Sequence, residues 1–465
     1  MSDSPISLTA TALLEQYRRK TLSPVEVTQA VLARTHELQP AFNAFLLVDP
    51  EAALAAARAS EARWMKGAPA GRVDGVPASV KDVMLARGWP TLRGSKSIRR
   101  GQPWDEDAPQ VARLREEGAV LIGKTTTPEF GWKAIGDSPL TGITRNPWNR
   151  ERTPGGSSAG AAVAAATGMG PLHLGSDGGG SIRIPSSFTG VFGIKPTYGL
   201  VASAPPSPFA VVSHTGPMTR TVADAALMLS TIAAWDARDP YALPPAKRDY
   251  RDGLEDGVKG LRCAFSPTLG YAKVDPEVAA LVAGAVRVLE GMGAVVEEAD
   301  PGFASPRQAF WTLWTTGCAR ICAGMSADQR AQLDPGLKAA AAHGAGLSAA
   351  ELTGAEVERA ELMQKMNAFL ARYDVLFTPT VAVPALPVGQ DLNDRATEEI
   401  WIDWTPFSYP FNMSRQPAAN IPCGLTSRGL PVGLQAVAAL DRDRLVLRVA
   451  RAYETAHPFA MPALG

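Results

Sequence analysis

The sequence predicts an α/β fold: one large domain over residues 1–465, with a central mixed, mostly parallel β-sheet flanked by α-helices. Three observations predict it. Short apolar runs bounded by glycine and proline alternate with helical stretches, the pattern of a parallel or mixed sheet packed between helices. One stretch reads in full as strand–helix–strand: L-R-C-A-F-S, a helix over 275–291, then A-V-V-E-E-A, a βαβ unit. The 465 residues are 46% hydrophobic, enough for a large core, and neither an internal repeat nor a disordered linker divides them.

The elements follow in order. T-A-T-A-L-L-E-Q-Y-R-R-K is an amphipathic helix near the N-terminus. Ser23, Pro24 and Glu26 stand at N-cap, N1 and N3 of the next, a capping box with the preferred proline. Asp49-Pro50 starts another helix, which runs through alanines to Trp64. G-V-P-A-S-V-K-D-V is a buried strand, Pro109 to Glu117 a helix and A-V-L-I-G-K a strand. S-S-A-G-A-A-V-A-A-A-T-G is a helix of small residues suited to close packing against backbone, and P-L-H-L-G-S-D a strand. Residues 220–233 are helical, and 305–370 form a mostly helical elaboration. D-V-L-F-T-P-T and L-P-V-G-L-Q-A-V-A-A return to strand before a closing helix from Asp441 to Thr455.

Composition excludes several function classes. Lys plus Arg and Asp plus Glu are 46 each, so the net charge is zero and neither a nucleic-acid partner nor an anionic membrane is expected. Cys263, Cys318, Cys322 and Cys423 stand too far apart for a disulfide framework. Cys318 and Cys322 have helical spacing but no second pair to complete a zinc site, so all four read as ordinary buried thiols. The N-terminus lacks a basic-then-apolar signal pattern, and no apolar run approaches the roughly 20 residues of a membrane span. A soluble, cytoplasmic protein is expected.

Two Ser/Gly clusters carry the chemistry: P-G-G-S-S-A-G at 154–160 and G-S-D-G-G-G-S-I-R-I-P-S-S at 175–187. Neither is a phosphate loop. Ala161 and Ala162 follow Gly160 where Lys and Ser or Thr are needed, and G-x-G-x-x-G fails in both clusters. A hydrolase fits better. A serine after consecutive glycines has backbone N–H groups that can converge on a developing oxyanion, which makes Gly178, Gly179, Gly180 and Ser181 a candidate oxyanion hole. The serine still needs a base. None of the five histidines sits in a Ser-His-Asp-like motif, and His173, inside a strand, reads as a core residue; spacing alone leaves a distant histidine open. Lys81 is the other candidate: it lies in an apolar strand, where burial lowers a lysine pKa and frees the amine to take a proton.

These clusters, with G-V-P-A-S-V-K-D, resemble the three signature segments of the amidase signature family. Ser157 and Ser181 are 24 residues apart, as in the family's pattern. The resemblance extends to I-G-K-T-T-T-P-E-F, N-P-W-N, F-G-I-K-P-T-Y-G, G-P-M-T-R-T-V-A-D-A-A, F-T-P-T and G-L-P-V-G-L-Q, covering roughly residues 8–245 and 370–458. The signature core falls at about 70–220. The resemblance implies the amidase signature fold and a Ser–cis-Ser–Lys triad. Ser181 is then the nucleophile, Ser157 the proton relay after a cis bond from Gly156, and Lys81 the base. Asp177 and Arg183 would pair and brace the loop, with Ser158 adding a hydrogen bond. Lys124 and Lys195 read as structural or surface residues.

Two positions depart from the family pattern. Gly178 stands where the family has threonine, and R-Q-P-A at 415–418 replaces G-Q-P-A. Arg415 is read as a surface residue, or as one that shapes the pocket mouth. For substrate, W-I-D-W-T-P-F-S-Y-P-F at 401–411, together with Trp311 and Trp314, is dense in aromatics. Trp132, Asp137, Trp401 and Trp404 are the candidate substrate-binding residues, favouring apolar or aryl amides. The expected function is hydrolysis of a small-molecule carboxamide to carboxylate and amine or ammonia through an acyl-enzyme, with esters cleaved by the same route. No cofactor or metal is expected, and a homodimer is the expected assembly. Two alternatives stand beside it. One is the glutaminase component of a glutamyl-tRNA amidotransferase, its A subunit, which has D-E-F-A-M-G-S-S where residues 128–135 read P-E-F-G-W-K-A-I. The other is a non-catalytic binding protein of the same fold.

Overall fold

The structure, a computed structural model, describes residues 4–244 and 248–464. The chain begins α1 (Ala10–Arg19), α2 (Pro24–Phe42), β1 (Phe45–Val48), α3 (Pro50–Met65), β2 (Pro77–Lys81), α4 (Pro109–Glu116) and β3 (Val120–Thr125). A short hairpin of β4 (Asp137–Ser138) and β5 (Gly142–Ile143) precedes α5 (Ala159–Thr167), β6 (Leu172–Asp177), α6 (Arg183–Thr189), β7 (Phe192–Lys195), β8 (His214–Thr219) and α7 (Val222–Ile232). Next come β9 (Arg262–Phe265), α8 (Pro276–Gly291) and β10 (Val295–Glu298), then the helices α9 (Arg307–Cys322), α10 (Ala327–Ala331), α11 (Pro335–Ala345) and α12 (Ala349–Leu370). The chain closes with β11 (Val375–Pro379), α13 (Tyr409–Met413), β12 (Ala418–Leu425), β13 (Pro431–Ala438) and α14 (Asp443–Ala456).

The capping signals act as the sequence implies. Ser23 Oγ accepts from Val25 N at 2.9 Å while Ser23 N donates to Glu26 at 2.8 Å, closing the box that starts α2. Asp49 Oδ1 accepts from Ala52 N at 3.0 Å at the start of α3.

One 11-stranded sheet runs β1-β3-β2-β6-β8-β7-β12-β13-β11-β9-β10, with helices packed against it. The fold is therefore α/β around a mixed sheet. Parallel pairing joins β3, β2 and β6 in one block and β11, β9 and β10 in another. Antiparallel pairs through β8, β7, β12 and β13 connect the blocks, and β1 adds an antiparallel edge. The expected βαβ unit is present, with β9 and β10 parallel neighbours. An aliphatic core includes Val80, Val120, Leu172 and Leu227, and a second, aromatic core gathers Phe310, Trp314, Trp401, Trp404 and Tyr409. Among the described residues, no helix is long and apolar enough to cross a membrane.

This topology positions the two signature loops. Strands β2 and β6 are parallel neighbours, with Val80 opposite Leu174. The C-terminal end of β2, where Lys81 sits, therefore lies beside the end of β6, where the glycine loop begins. The carboxyl ends of parallel strands are where α/β proteins build their sites. Helix α5 brings the first Ser/Gly cluster to the same edge. Its small residues permit this: a Cβ at Gly160 would stand 2.1 Å from the Ala44 carbonyl oxygen.

Candidate active site

Lys81 is the last residue of β2 and is fully buried. Its Nζ lies 2.7 Å from Ser157 Oγ, 2.9 Å from Ser176 Oγ and 3.5 Å from the Ser176 carbonyl oxygen. Burial pushes its pKa down to about 7, against the opposing pull of the Asp177 charge. A free amine is thus well populated near neutral pH, in contact with a hydroxyl.

Ser157 follows a cis peptide bond from Gly156. Ser158 ties this segment to the glycine loop: its N–H donates to the Ser181 carbonyl at 3.0 Å. Its hydroxyl donates to Ser176 O at 3.0 Å and accepts from Ser176 N at 3.2 Å. The structure thus brings the segments carrying Lys81, Ser157 and Ser181 to one place. Ser157 and Ser181 are both buried, and their hydroxyls are not hydrogen-bonded to each other; among the described residues Ser181 Oγ has no partner.

The glycine loop is held from beneath by Asp177 and Arg183, both fully buried. Arg183 uses all five of its donors. Nε and one Nη2 bond reach Asp177 at 2.9 Å each; the others reach Ser408 O at 2.9 Å, Gln435 at 2.8 Å and Asn412 at 2.6 Å. Asp177 also accepts from Gly180 N at 2.7 Å and Ile182 N at 3.1 Å. Burial alone would raise the Asp177 pKa, but the Arg183 charge and the hydrogen bonds from Arg183 and Asn412 outweigh it and hold the carboxyl well below its usual range. Ser408 Oγ donates to Gly179 O at 2.7 Å.

These contacts correct one expectation. The Gly180 N–H points at Asp177 and is committed there, so it does not serve an oxyanion. The N–H groups of Gly178, Gly179 and Ser181 have no protein acceptor among the described residues and are the donors available.

A cavity of about 880 Å³ opens over this edge. Ser157, Ser176 and Gly178 line it, with Phe130, Gly131, Phe209 and Trp314 supplying apolar wall. Among the described residues, Arg93, Arg99 and Arg320 are the only charged groups in its lining. Ser181, three residues beyond Gly178, does not line it. Trp132, Asp137, Trp401 and Trp404 do not line it either, and the reason is packing. Trp132 is buried and its carbonyl accepts from Trp314 Nε1 at 2.9 Å. Asp137 pairs with Lys133 at 3.2 Å. Trp401 packs edge-on to Phe310 and Trp314 behind the glycine loop, and Trp404 stacks on Phe188 with ring centroids 5.9 Å apart.

Other candidates are structural. His173 is fully buried: Nε2 donates to Gly170 O at 2.8 Å and Nδ1 accepts from Ser79 Oγ at 2.8 Å, and burial pushes its pKa down to about 4. Lys124 and Lys195 are buried rather than surface residues; Lys124 pairs with Asp82 at 3.2 Å. Arg415 is half-buried over the Tyr198 ring, 4.6 Å from its centroid, and does not line the cavity. Sequence reasoning missed Ser176, although it lies inside the glycine motif, and it missed Asn412, Ser408 and Gln435, which come from distant segments with no motif to mark them.

Comparison with known proteins follows the same lines. The model of the family described as Amidase matches residues 26–447. An acylamidase of Rhodococcus erythropolis is 37% identical over 460 residues, covering 97% of this chain and 96% of the relative. The A subunit of the glutamyl-tRNA(Gln) amidotransferase of Myxococcus xanthus is 36% identical, covering 94% of each chain. Among solved structures, a bacterial aryl acylamidase of the amidase signature family superposes with a TM-score of 0.91 at 30% identity, covering 97% of this chain and 96% of that one. A 6-aminohexanoate cyclic dimer hydrolase gives a TM-score of 0.89 at 30% identity, covering 99% of both.

Proposed function

The chain belongs to the amidase signature family of amide C–N hydrolases, and from that premise we propose that it cleaves its substrate through an acyl-enzyme on Ser181, with Ser157 as relay and Lys81 as base. The observation that carries this reading is the 2.7 Å contact between a buried Lys81 amine and the Ser157 hydroxyl. The amine, free in a large share of molecules near pH 7 because burial lowers its pKa to about 7, takes the Ser157 proton as Ser157 takes that of Ser181, and Ser181 Oγ attacks the carbonyl carbon. The N–H groups of Gly178, Gly179 and Ser181 receive the oxyanion, at about 3 kcal/mol or more per well-aimed donor. Lys81 returns its proton through Ser157 to the departing nitrogen. Water then attacks the ester by the same proton route and releases the carboxylate.

The wall of Phe130, Phe209 and Trp314 suits an aryl or apolar portion of the amide, and aryl or alkyl esters would follow the same path. The acylamidase relatives favour this class of substrate. Purified protein is expected to hydrolyse acyl anilides without any other protein present. Copurification with two partner proteins and a preference for glutamine would instead support the amidotransferase role suggested by the relatives at 32–36% identity. In Ser181→Ala, anilide hydrolysis should fall to background with the fold intact; retained turnover would overturn the Ser181 assignment.

One observation favours a second reading. Ser157 itself lines the cavity and touches the base, whereas Ser181 does neither. In that reading Ser157 attacks directly, as a Ser–Lys dyad, and Ser181 contributes its backbone N–H.

A further inference from the structure

The charged groups lining the catalytic cavity are all of one sign. Arg93, Arg99 and Arg320 line it, and among the described residues no aspartate or glutamate does, although the whole chain is neutral. Arg93 is the best placed. Its backbone is fixed on three sides. Leu92 N and Gly94 N both donate to Asp82 at 3.1 Å, and the Arg93 carbonyl accepts from Phe130 N at 2.6 Å. Its left-handed φ of 53° belongs to this turn. The guanidinium is left with no hydrogen bond and no ion pair among the described residues. The nearest acid, Asp82, is committed to Lys124 at 3.2 Å and to the two backbone donors. The half-buried guanidinium therefore faces the cavity with its donors uncommitted to any protein group.

A second feature also marks the cavity as one that takes a polar molecule. Gln110, on α4, is only 2% exposed, also lines the cavity, and its Oε1 has no partner. Cations lining one cavity suit an anionic group of the bound molecule, and the unfilled Gln110 acceptor suits an N–H or O–H elsewhere on it.

We propose that the substrate is an amide carrying a carboxylate away from the scissile bond, and that Arg93 binds that carboxylate. Arg99 and Arg320 draw the anion into the mouth, and Gln110 Oε1 accepts from an N–H or O–H elsewhere on the substrate. This rests on reading the cavity as the site of amide hydrolysis. The guanidinium fork matches a carboxylate bidentately and discriminates strongly against a neutral isostere, which would leave it unpaired. The acidic group adds to the aryl or apolar character of the rest of the molecule, which meets Phe130, Phe209 and Trp314.

The test compares glutaryl-4-nitroanilide with its neutral counterpart valeryl-4-nitroanilide, and acetanilides with and without a 4-carboxylate on the ring, so that either end of the amide can carry the anion. In the native protein one carboxylate compound is expected to exceed its neutral partner in kcat/KM by at least about tenfold, chiefly through KM. That ratio should shrink as salt is raised. In Arg93→Gln it should collapse toward one, and Arg93→Lys should recover part of it. A native ratio of one or less for both pairs overturns the proposal, whether or not Arg93→Gln folds. So does an Arg93→Gln ratio equal to the native one. Calorimetric titration of the native protein with glutarate decides the anion site separately. Binding without turnover of any anilide would mean that the amide reading fails while the carboxylate site stands. Neither binding nor a carboxylate preference would remove the site alone.

Discussion

Gly178 is the residue it is because of Trp314. A Cβ at 178 would stand 2.9 Å from Cζ3 of that indole. The indole cannot retreat. It stacks on Phe209 with ring centroids 3.9 Å apart and donates through Nε1 to Trp132 O at 2.9 Å. The family's threonine at this position is therefore excluded by packing, and the departure noted in the sequence is matched by a tryptophan that occupies the side chain's space.

The pairing predicts coupled mutations. Gly178→Ala should lower kcat about tenfold or more by displacing the N–H groups of the loop, with little change in folding. Trp314→Leu in the same molecule should restore part of it, giving a non-additive double-mutant cycle. Native kcat in Gly178→Ala would refute the steric account.

The Lys81 pKa sets the pH profile. The amine is protonated below its pKa of about 7 and free above it. Only the free amine can accept a proton, so kcat/KM for a neutral anilide should rise tenfold per pH unit below about 7 and level off above it. Lys81→Ala should lose about 10²–10⁴-fold. An acid limb centred well below pH 6, or more than a tenth of native activity in Lys81→Ala, would remove lysine as the base.

The buried Asp177–Arg183 pair should dominate stability at the site. Arg183→Ala leaves an uncompensated carboxylate in the interior, at a cost of about 3–5 kcal/mol, measurable by urea unfolding. Asp177 has a folded pKa below its unfolded value. Its contribution is therefore present above about pH 3.9 and lost as the pH falls further, through the folded pKa. Equal unfolding midpoints for native protein and Arg183→Ala at pH 7 would contradict the assignment.

His173→Ala should separate structure from catalysis. Both ring nitrogens are bonded inside the core, so stability should drop by about 1–3 kcal/mol while kcat per folded molecule stays within about twofold. A folded but inactive variant would reopen a histidine-based mechanism.

Much of this site is legible in the sequence, and the parts that are not share a cause. Strands β2, β3 and β6 and helix α5 announce themselves as apolar or small-residue runs between glycines and prolines. Strand β8, H-T-G-P-M-T, does not. Its glycine and proline resemble turn residues, and it is a strand only because β6 and β7 pair with it on either side. Strand β12 is similar, with Pro422 and Gly424 at an irregularity in its pairing. The same non-locality hides the substrate wall. Trp132, Trp401 and Trp404 are as aromatic in the sequence as Phe130, Phe209 and Trp314, and only tertiary packing decides which face the cavity. The hydrogen bond between Gly180 N and Asp177 belongs in this class too: a run of glycines advertises free N–H groups without saying which of them the loop's own support consumes.

The most direct measurement of the central claim is the site of covalent capture. The protein would be treated with a fluorophosphonate, digested, and the modified peptide sequenced by mass spectrometry, in native form and in Lys81→Ala. The account predicts modification on Ser181 in the native protein and its near absence in Lys81→Ala. Label on Ser157 would hand the attack to the serine that touches the lysine, and label on neither serine in an active enzyme would contradict the mechanism altogether.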